Sequence, residues 1–154
     1  MKKKVILGLL MLALAGILTT SALAAPQNNL FIDVENFIDK SLGETFDAFG
    51  PAVTSGRVCA KGTVDEVSIR TSGPPNGDFE KWHVTNRFTC EDGSGTFDVR
   101  VQITFNLIDS TTKGRWMIVE GTGNYADLSG KGSVDGTPIN IGLIISDNYV
   151  GIVN

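Results

Sequence analysis

T-F-D-V-R-V-Q-I-T-F-N-L-I, residues 96–108, alternates apolar and polar side chains almost without interruption. Phe97, Val99, Val101, Ile103, Phe105 and Leu107 alternate with Asp98, Arg100, Gln102, Thr104 and Asn106. A period of two held over this length belongs to a long antiparallel strand with one wet face. The preceding segment, Phe79–Cys90, reads the same way, with Trp82, Val84, Phe88 and Cys90 on one face and His83, Thr85, Arg87 and Thr89 on the other. Between the two, Glu91-Asp92-Gly93-Ser94-Gly95 has the composition of a hairpin turn. Further upstream, Arg57–Arg70 is a strand whose alternation slips near Asp65-Glu66, where a bulge is expected.

The pattern continues outward from this hairpin. Arg115–Glu120, Gly132–Val134, Ile139–Ile145 and Asn148–Val153 are short apolar segments bounded by Gly, Pro, Asn or Asp. Strands at about ten-residue spacing with turn signals between them predict an all-β barrel or sandwich. Leu30–Lys40 fits either a helical face or a strand, and strand is preferred because everything after it is β. Nothing divides the chain by repeat or low-complexity linker, so one domain is expected.

Cys59 and Cys90 are the two cysteines. The midpoint between them falls in the turn-rich loop Ser72–Asp78, so a hairpin folded there sets one cysteine opposite the other, less any shift from the bulge. One disulfide is the expectation, closing a loop of about thirty residues with a stabilisation on the order of 3 kcal/mol. Two cysteines and the single His83 are too few soft ligands for structural zinc, and Asp92-Gly93-Ser94-Gly95 lacks the carboxylates of a calcium loop. No metal and no cofactor is expected.

A second stretch, G-R-W-M-I-V-E-G-T-G-N-Y-A-D-L-S-G-K-G-S-V-D-G (114–136), carries six glycines. Gly121-Thr122-Gly123-Asn124-Tyr125-Ala126 matches the loose G-x-G-x-x-A form of a dinucleotide fingerprint, which needs a helix directly afterwards. Gly130 and Gly132 would break that helix within two turns, and Lys131 is followed by glycine rather than the Ser or Thr of a P-loop. The glycines therefore read as turn and corner chemistry.

Trp116, Gly121-Thr122-Gly123, Tyr125 and Gly130 resemble the G-T-G-x-[YF]-x-x-x-x-G signature of small secreted barrels related to allene oxide cyclase and the plant dirigent proteins. Cys59–Val64 and Phe88–Phe97 look similar to segments of bacterial secreted proteins that carry the same signature. The resemblance runs from about Phe46 to the C-terminus and implies a single antiparallel β-barrel of about eight strands around a central cavity. No cyclase or dirigent catalytic residue maps onto a numbered position here.

The first residues have the layout of a secretory signal peptide: Lys2–Lys4, an apolar run from Val5 to Leu18, then Ala22-Leu23-Ala24. The run is shorter than the roughly 20 residues of a spanning helix. Cleavage after Ala24 is expected, since a cut one residue later would place Pro26 directly after the scissile bond. A signal-peptide helix (1–24) thus precedes a secreted domain (25–154), extracellular or periplasmic. All seventeen acidic residues stay in the mature part while three of the thirteen basic ones leave, giving a net charge of −7. Such a chain repels phosphate backbones and anionic lipid, so nucleic acid and membrane partners are not expected. The oligomeric state is left open.

Neither a G-x-S-x-G elbow nor an H-E-x-x-H motif is present, and His83 lies on the polar face of its strand. Glu120 shares strand parity with Trp116 and Ile118, so it is the one catalytic candidate, an acid in the cavity or else an exposed rim residue. Trp82, Trp116 and Tyr125 are the aromatics that line a ligand pocket or fill the core. Taken together, the chain reads as a secreted, disulfide-stapled barrel that binds a small apolar ligand or acts as an extracellular interaction module. The alternative is a cofactor-free isomerase or cyclase working in the barrel cavity.

Overall fold

The computed structural model describes residues 28–37, 43–74, 76–140 and 143–154. The expected signal segment lies outside them. Eight strands follow one another in chain order: β1 (Asn29–Phe37), β2 (Glu44–Phe49), β3 (Lys61–Ser72), β4 (Phe79–Cys90), β5 (Thr96–Asn106), β6 (Thr112–Gly121), β7 (Gly130–Asn140) and β8 (Ile144–Val153). Each pairs antiparallel with its neighbours, and β1 closes onto β8 from Asn29↔Ile152 to Phe37↔Ile144. The result is the expected closed barrel rather than a sandwich. Each strand has a partner on both sides, although the short β2 pairs only with Lys61–Val64 of the twelve-residue β3.

Residues 96–106 form β5 as their alternation requires, with Phe97, Val99, Val101, Ile103 and Phe105 buried. The ambiguous segment after residue 30 is strand as far as Phe37, and its last residues lie outside those described. Gly132–Val134 and Ile139 turn out to belong to one strand, β7, while Ile144 and Ile145 continue through Asp147 into β8. One short helix, α1 (Pro51–Thr54), was not apparent in the sequence.

Among the described residues three irregularities interrupt the register, one of them between Pro138 and Asn140 of β7. The one expected near Asp65-Glu66 falls between Glu66 and Ser68. A second lies where β5 meets β6: Val99 pairs with Ile118 but Asp98 pairs with Glu120, so Val119 is the extra residue. It reverses the parity of the last residues of β6.

The interior has two halves. At one end, α1, the β4–β5 turn and the 3-10 turn Gly123–Tyr125 close the barrel over an aromatic core. Phe88 and Phe97 stack at 5.0 Å, Phe46 meets Phe88 edge-on at 5.1 Å, and Tyr125 meets Phe97 edge-on at 5.6 Å. The Tyr125 hydroxyl lies 2.7 Å from Ser94 Oγ, tying the loop after β6 to the β4–β5 turn. Gly95 (φ 143°) and Gly123 (φ 59°) occupy backbone regions closed to most side chains, and a Cβ on Gly123 would stand 2.4 Å from the Ser94 carbonyl. Turn chemistry is thus the role of Gly123.

Cys59 and Cys90 form the expected disulfide at this closed end, 5.9 Å apart between Cα atoms. Cys59 does not pair with Cys90 in the sheet: Gly62 does, and Cys59 lies in the connection from α1 to β3. The crosslink therefore fastens the closing segment to the end of β4.

Candidate functional site

The other half of the barrel is hollow. A cavity of about 250 Å³ is lined from β4 and β5 by Trp82, Val84, Val101, Ile103 and Phe105, and from β8 by Ile145, Asp147 and Tyr149. Glu66 and Ile69 of β3, Asn36 of β1 and Thr112 of β6 complete its polar and apolar walls. These residues flank the connections at the end opposite the disulfide, where the ends of β7 and β8 and the β5–β6 loop carry exposed Leu107, Ile108, Ile139 and Leu143. Exposed apolar side chains thus stand on two of the connections at this end.

Trp82 is held in place before any guest arrives. Its ring stacks on Phe105 with centroids 4.7 Å apart, and its indole N–H donates to Glu80 Oε2 at 2.8 Å. Tyr149 lies two residues further along β8 than Asp147, is almost fully buried, and hydrogen-bonds to Asn86. Burial foremost, with the nearby Asp147 charge behind it, pushes its phenol far above the ordinary value.

Asp147 is the polar centre. Thr112 Oγ1 donates to its Oδ1 at 2.7 Å, and Asn36 Nδ2 donates to its Oδ2 at 2.6 Å. Thr112, Gly136 and Asp147 form one row across β6, β7 and β8. The Thr112–Asp147 hydrogen bond passes over Gly136, where a Cβ would lie 2.0 Å from both oxygens. Gly136 is a space for this contact rather than a turn residue. Among the described residues no group of three or more His, Cys, Asp or Glu is arranged to hold a metal ion.

The residues singled out from the sequence separate. Trp82 lines the cavity as expected. Trp116 faces the interior but belongs to the filled half, with its indole over Gly132 and Gly151: a Cβ on Gly151 would come 2.4 Å from Trp116 Cζ2. Its N–H donates to the Val150 carbonyl at 3.3 Å. Tyr125 is core at the closed end. Glu120 is corrected: the Val119 bulge turns it to the outer surface, exposed, opposite Asp98 and close enough to Arg87 to act on its charge. Arg87 itself forms a two-pronged ion pair with Asp98, both bonds 2.8 Å. His83 stands exposed on the outside, as expected.

Asp147, Thr112, Asn36, Asn86 and Tyr149 were missed. Asp147 was read as a boundary between two short strands, because Asp is common in turns. Ile145, Asp147, Tyr149 and Val153 share one parity with apolar residues on three of the four positions, and a carboxylate within such a face is the signal that marks it.

The disulfide is the mark of an oxidising compartment. Among the described residues no helix is long and apolar enough to cross a membrane. No protein-family model matches the chain, and neither a curated protein nor a solved structure matches it.

Proposed function

We propose that this chain is a secreted barrel that binds one small, predominantly apolar molecule in the cavity at its open end. The observation that carries the reading is a preformed hollow of about 250 Å³, walled by Trp82, Ile103 and Phe105 and holding a small set of convergent polar groups. Apolar walls with a few fixed polar groups are the usual build of a small-molecule site. The volume lies just under the range of about 300–1,000 Å³ typical of drug-sized ligands, which selects a compact guest. The rigid Trp82–Phe105 wall lowers the ordering cost of binding.

Native mass spectrometry of the protein from its own culture medium tests this. A retained small molecule is expected, and it is lost in Ile103→Trp, which fills the hollow. Protein that retains nothing and binds no member of a panel of compact apolar compounds overturns the reading.

One observation favours a second reading, the cofactor-free isomerase or cyclase. An acidic side chain, Asp147, does stand in the cavity wall, although Glu120 does not. A relationship to the allene oxide cyclase and dirigent barrels is proposed with it, supported by the eight-stranded closed architecture that such kinship implies. Turnover of an epoxide or polyene panel that disappears in Asp147→Asn and survives in Glu120→Gln would select this reading over simple binding.

A further inference from the structure

The outer wall of the barrel carries its charge unevenly. Arg70, His83, Gln102, Arg115 and Ser133 stand side by side in one row across β3, β4, β5, β6 and β7, all exposed. Two residues along each strand, a second row runs through Ser68, Thr85, Arg100, Met117 and Lys131. The two rows hold four Lys or Arg side chains and no carboxylate, in a chain whose formal net charge is −4. Among the described residues none of these four cations is in an ion pair or a side-chain hydrogen bond, whereas Lys61, Arg87 and Lys113 are held by Glu91, Asp98 and Asp135. Arg115 lies diagonally across from both Arg100 and Lys131, so the band repels itself. A like-charge cluster that works against stability is the kind of broken local rule that marks a site.

Separately from the cavity, we propose that this wall is a docking surface for an acidic polysaccharide, a chain of sugars bearing carboxylates. The cations do not converge on one point. With neighbouring strands about 4.8 Å apart, the rows extend about 19 Å, which suits an elongated polyanion rather than a single small anion. The guanidinium groups of Arg70, Arg100 and Arg115 match carboxylates in two-pronged geometry. Interleaved with them, Thr85, Gln102 and Ser133 offer donors and acceptors to sugar hydroxyls. The middle of the band sinks into a trough of about 590 Å³ between Arg100, Arg115, Met117, Lys131 and Ile152, where the apolar face of a sugar ring rests on Met117 and Ile152. Neither row contains Phe, Tyr or Trp, the rings on which single-stranded nucleic acid stacks. Met117 is the one apolar side chain of the two rows, where an element lying on a lipid surface buries a whole apolar face.

Calorimetric titration of a short oligogalacturonate into the purified, disulfide-bonded protein at neutral pH tests this, with neutral dextran, inorganic polyphosphate and a single-stranded oligodeoxynucleotide as comparison probes. The uronate is expected to bind, its affinity falling about tenfold between about 50 and about 200 mM salt, and the dextran is expected not to bind. Arg100→Gln with Arg115→Gln, both exposed on the outer surface, is expected to weaken the uronate by about tenfold or more. Arg57→Gln with Lys61→Gln removes the same charge outside the two rows and is expected to leave the affinity within about twofold. Absence of uronate binding, an equal loss in both pairs of variants, or polyphosphate or oligodeoxynucleotide binding as tightly as the uronate overturns the proposal. The cavity reading is tested by its own experiment and does not depend on this one.

Discussion

Gly136→Ala puts one methyl group where Thr112 reaches Asp147. The backbone there is ordinary strand, so alanine meets no conformational barrier, and on propensity alone the change should stabilise the sheet by about 0.5–1 kcal/mol. The space decides otherwise. The new carbon would lie 2.0 Å from Thr112 Oγ1 and 2.0 Å from Asp147 Oδ1, with Ile145 Cγ2 3.1 Å away. Both oxygens must move, and the 2.7 Å bond between them cannot persist. A buried hydrogen bond to a charged group contributes about 1.5–3 kcal/mol. Set against the propensity gain, the expected net loss is about 1–2 kcal/mol. Urea unfolding with the disulfide intact measures it, as a lower midpoint at unchanged slope. A double-mutant cycle locates it: in a Thr112→Ala background the hydroxyl and its bond are gone, so the cost of Gly136→Ala should fall by at least half. A neutral or stabilising Gly136→Ala, or a penalty unchanged by Thr112→Ala, would refute the claim that glycine is there to clear this contact.

Replacing Cys59 and Cys90 together by alanine should cost about 3–4 kcal/mol by loop entropy over the 31-residue separation, read as the urea-unfolding difference from the oxidised protein; an equal loss from reductant is the matching result. Gly132→Ala should cost about 2–3 kcal/mol or more, since its Cβ would lie 1.9 Å from the Val150 carbonyl and 2.7 Å from Trp116 Nε1, with the near-ultraviolet dichroism of Trp116 altered. Tyr149 has a folded pKa raised above the ordinary phenol value of 10.0, so its contribution is complete below that pH and declines above it. The proton is held by the native state and released by the unfolded one, so stability falls above pH 10 by up to about 1.4 kcal/mol per unit for this group. An ultraviolet titration that ionises both tyrosines in the still-folded protein would contradict this.

The functional side of the molecule follows from how the two halves of the barrel differ. Where α1 and the 3-10 turn cap the strands, phenylalanines and Trp116 fill the interior, and glycines opposite the indole make the filling possible. Toward the other end the inward positions are occupied by Asn36, Glu66, Asn86, Thr112 and Asp147 as well as by apolar groups. The hollow lies among them.

Side-chain alternation was legible without coordinates because it depends on a local property: successive Cβ atoms point to opposite faces of a strand. Residues 96–106 therefore declared their strand and its inward face, although Leu107 and Ile108 continue the pattern into an exposed turn, and the turn residues around Gly93 and Gly95 declared the hairpin. The disulfide was legible because two cysteines allow one pairing, but its register was not: Gly62 faces Cys90 and Cys59 reaches it from the connection before β3. What alternation cannot report is where it is broken. One extra residue, Val119, sends Glu120 outside, and nothing in its immediate neighbours announces that. Asp147 looked like a strand boundary until closure of β8 onto β1 and β7 brought Asn36 and Thr112 to its two oxygens from positions 111 and 35 residues away. Chemistry assembled across strands is a property of the closed barrel, because only ring closure decides which distant residues share a level of its wall.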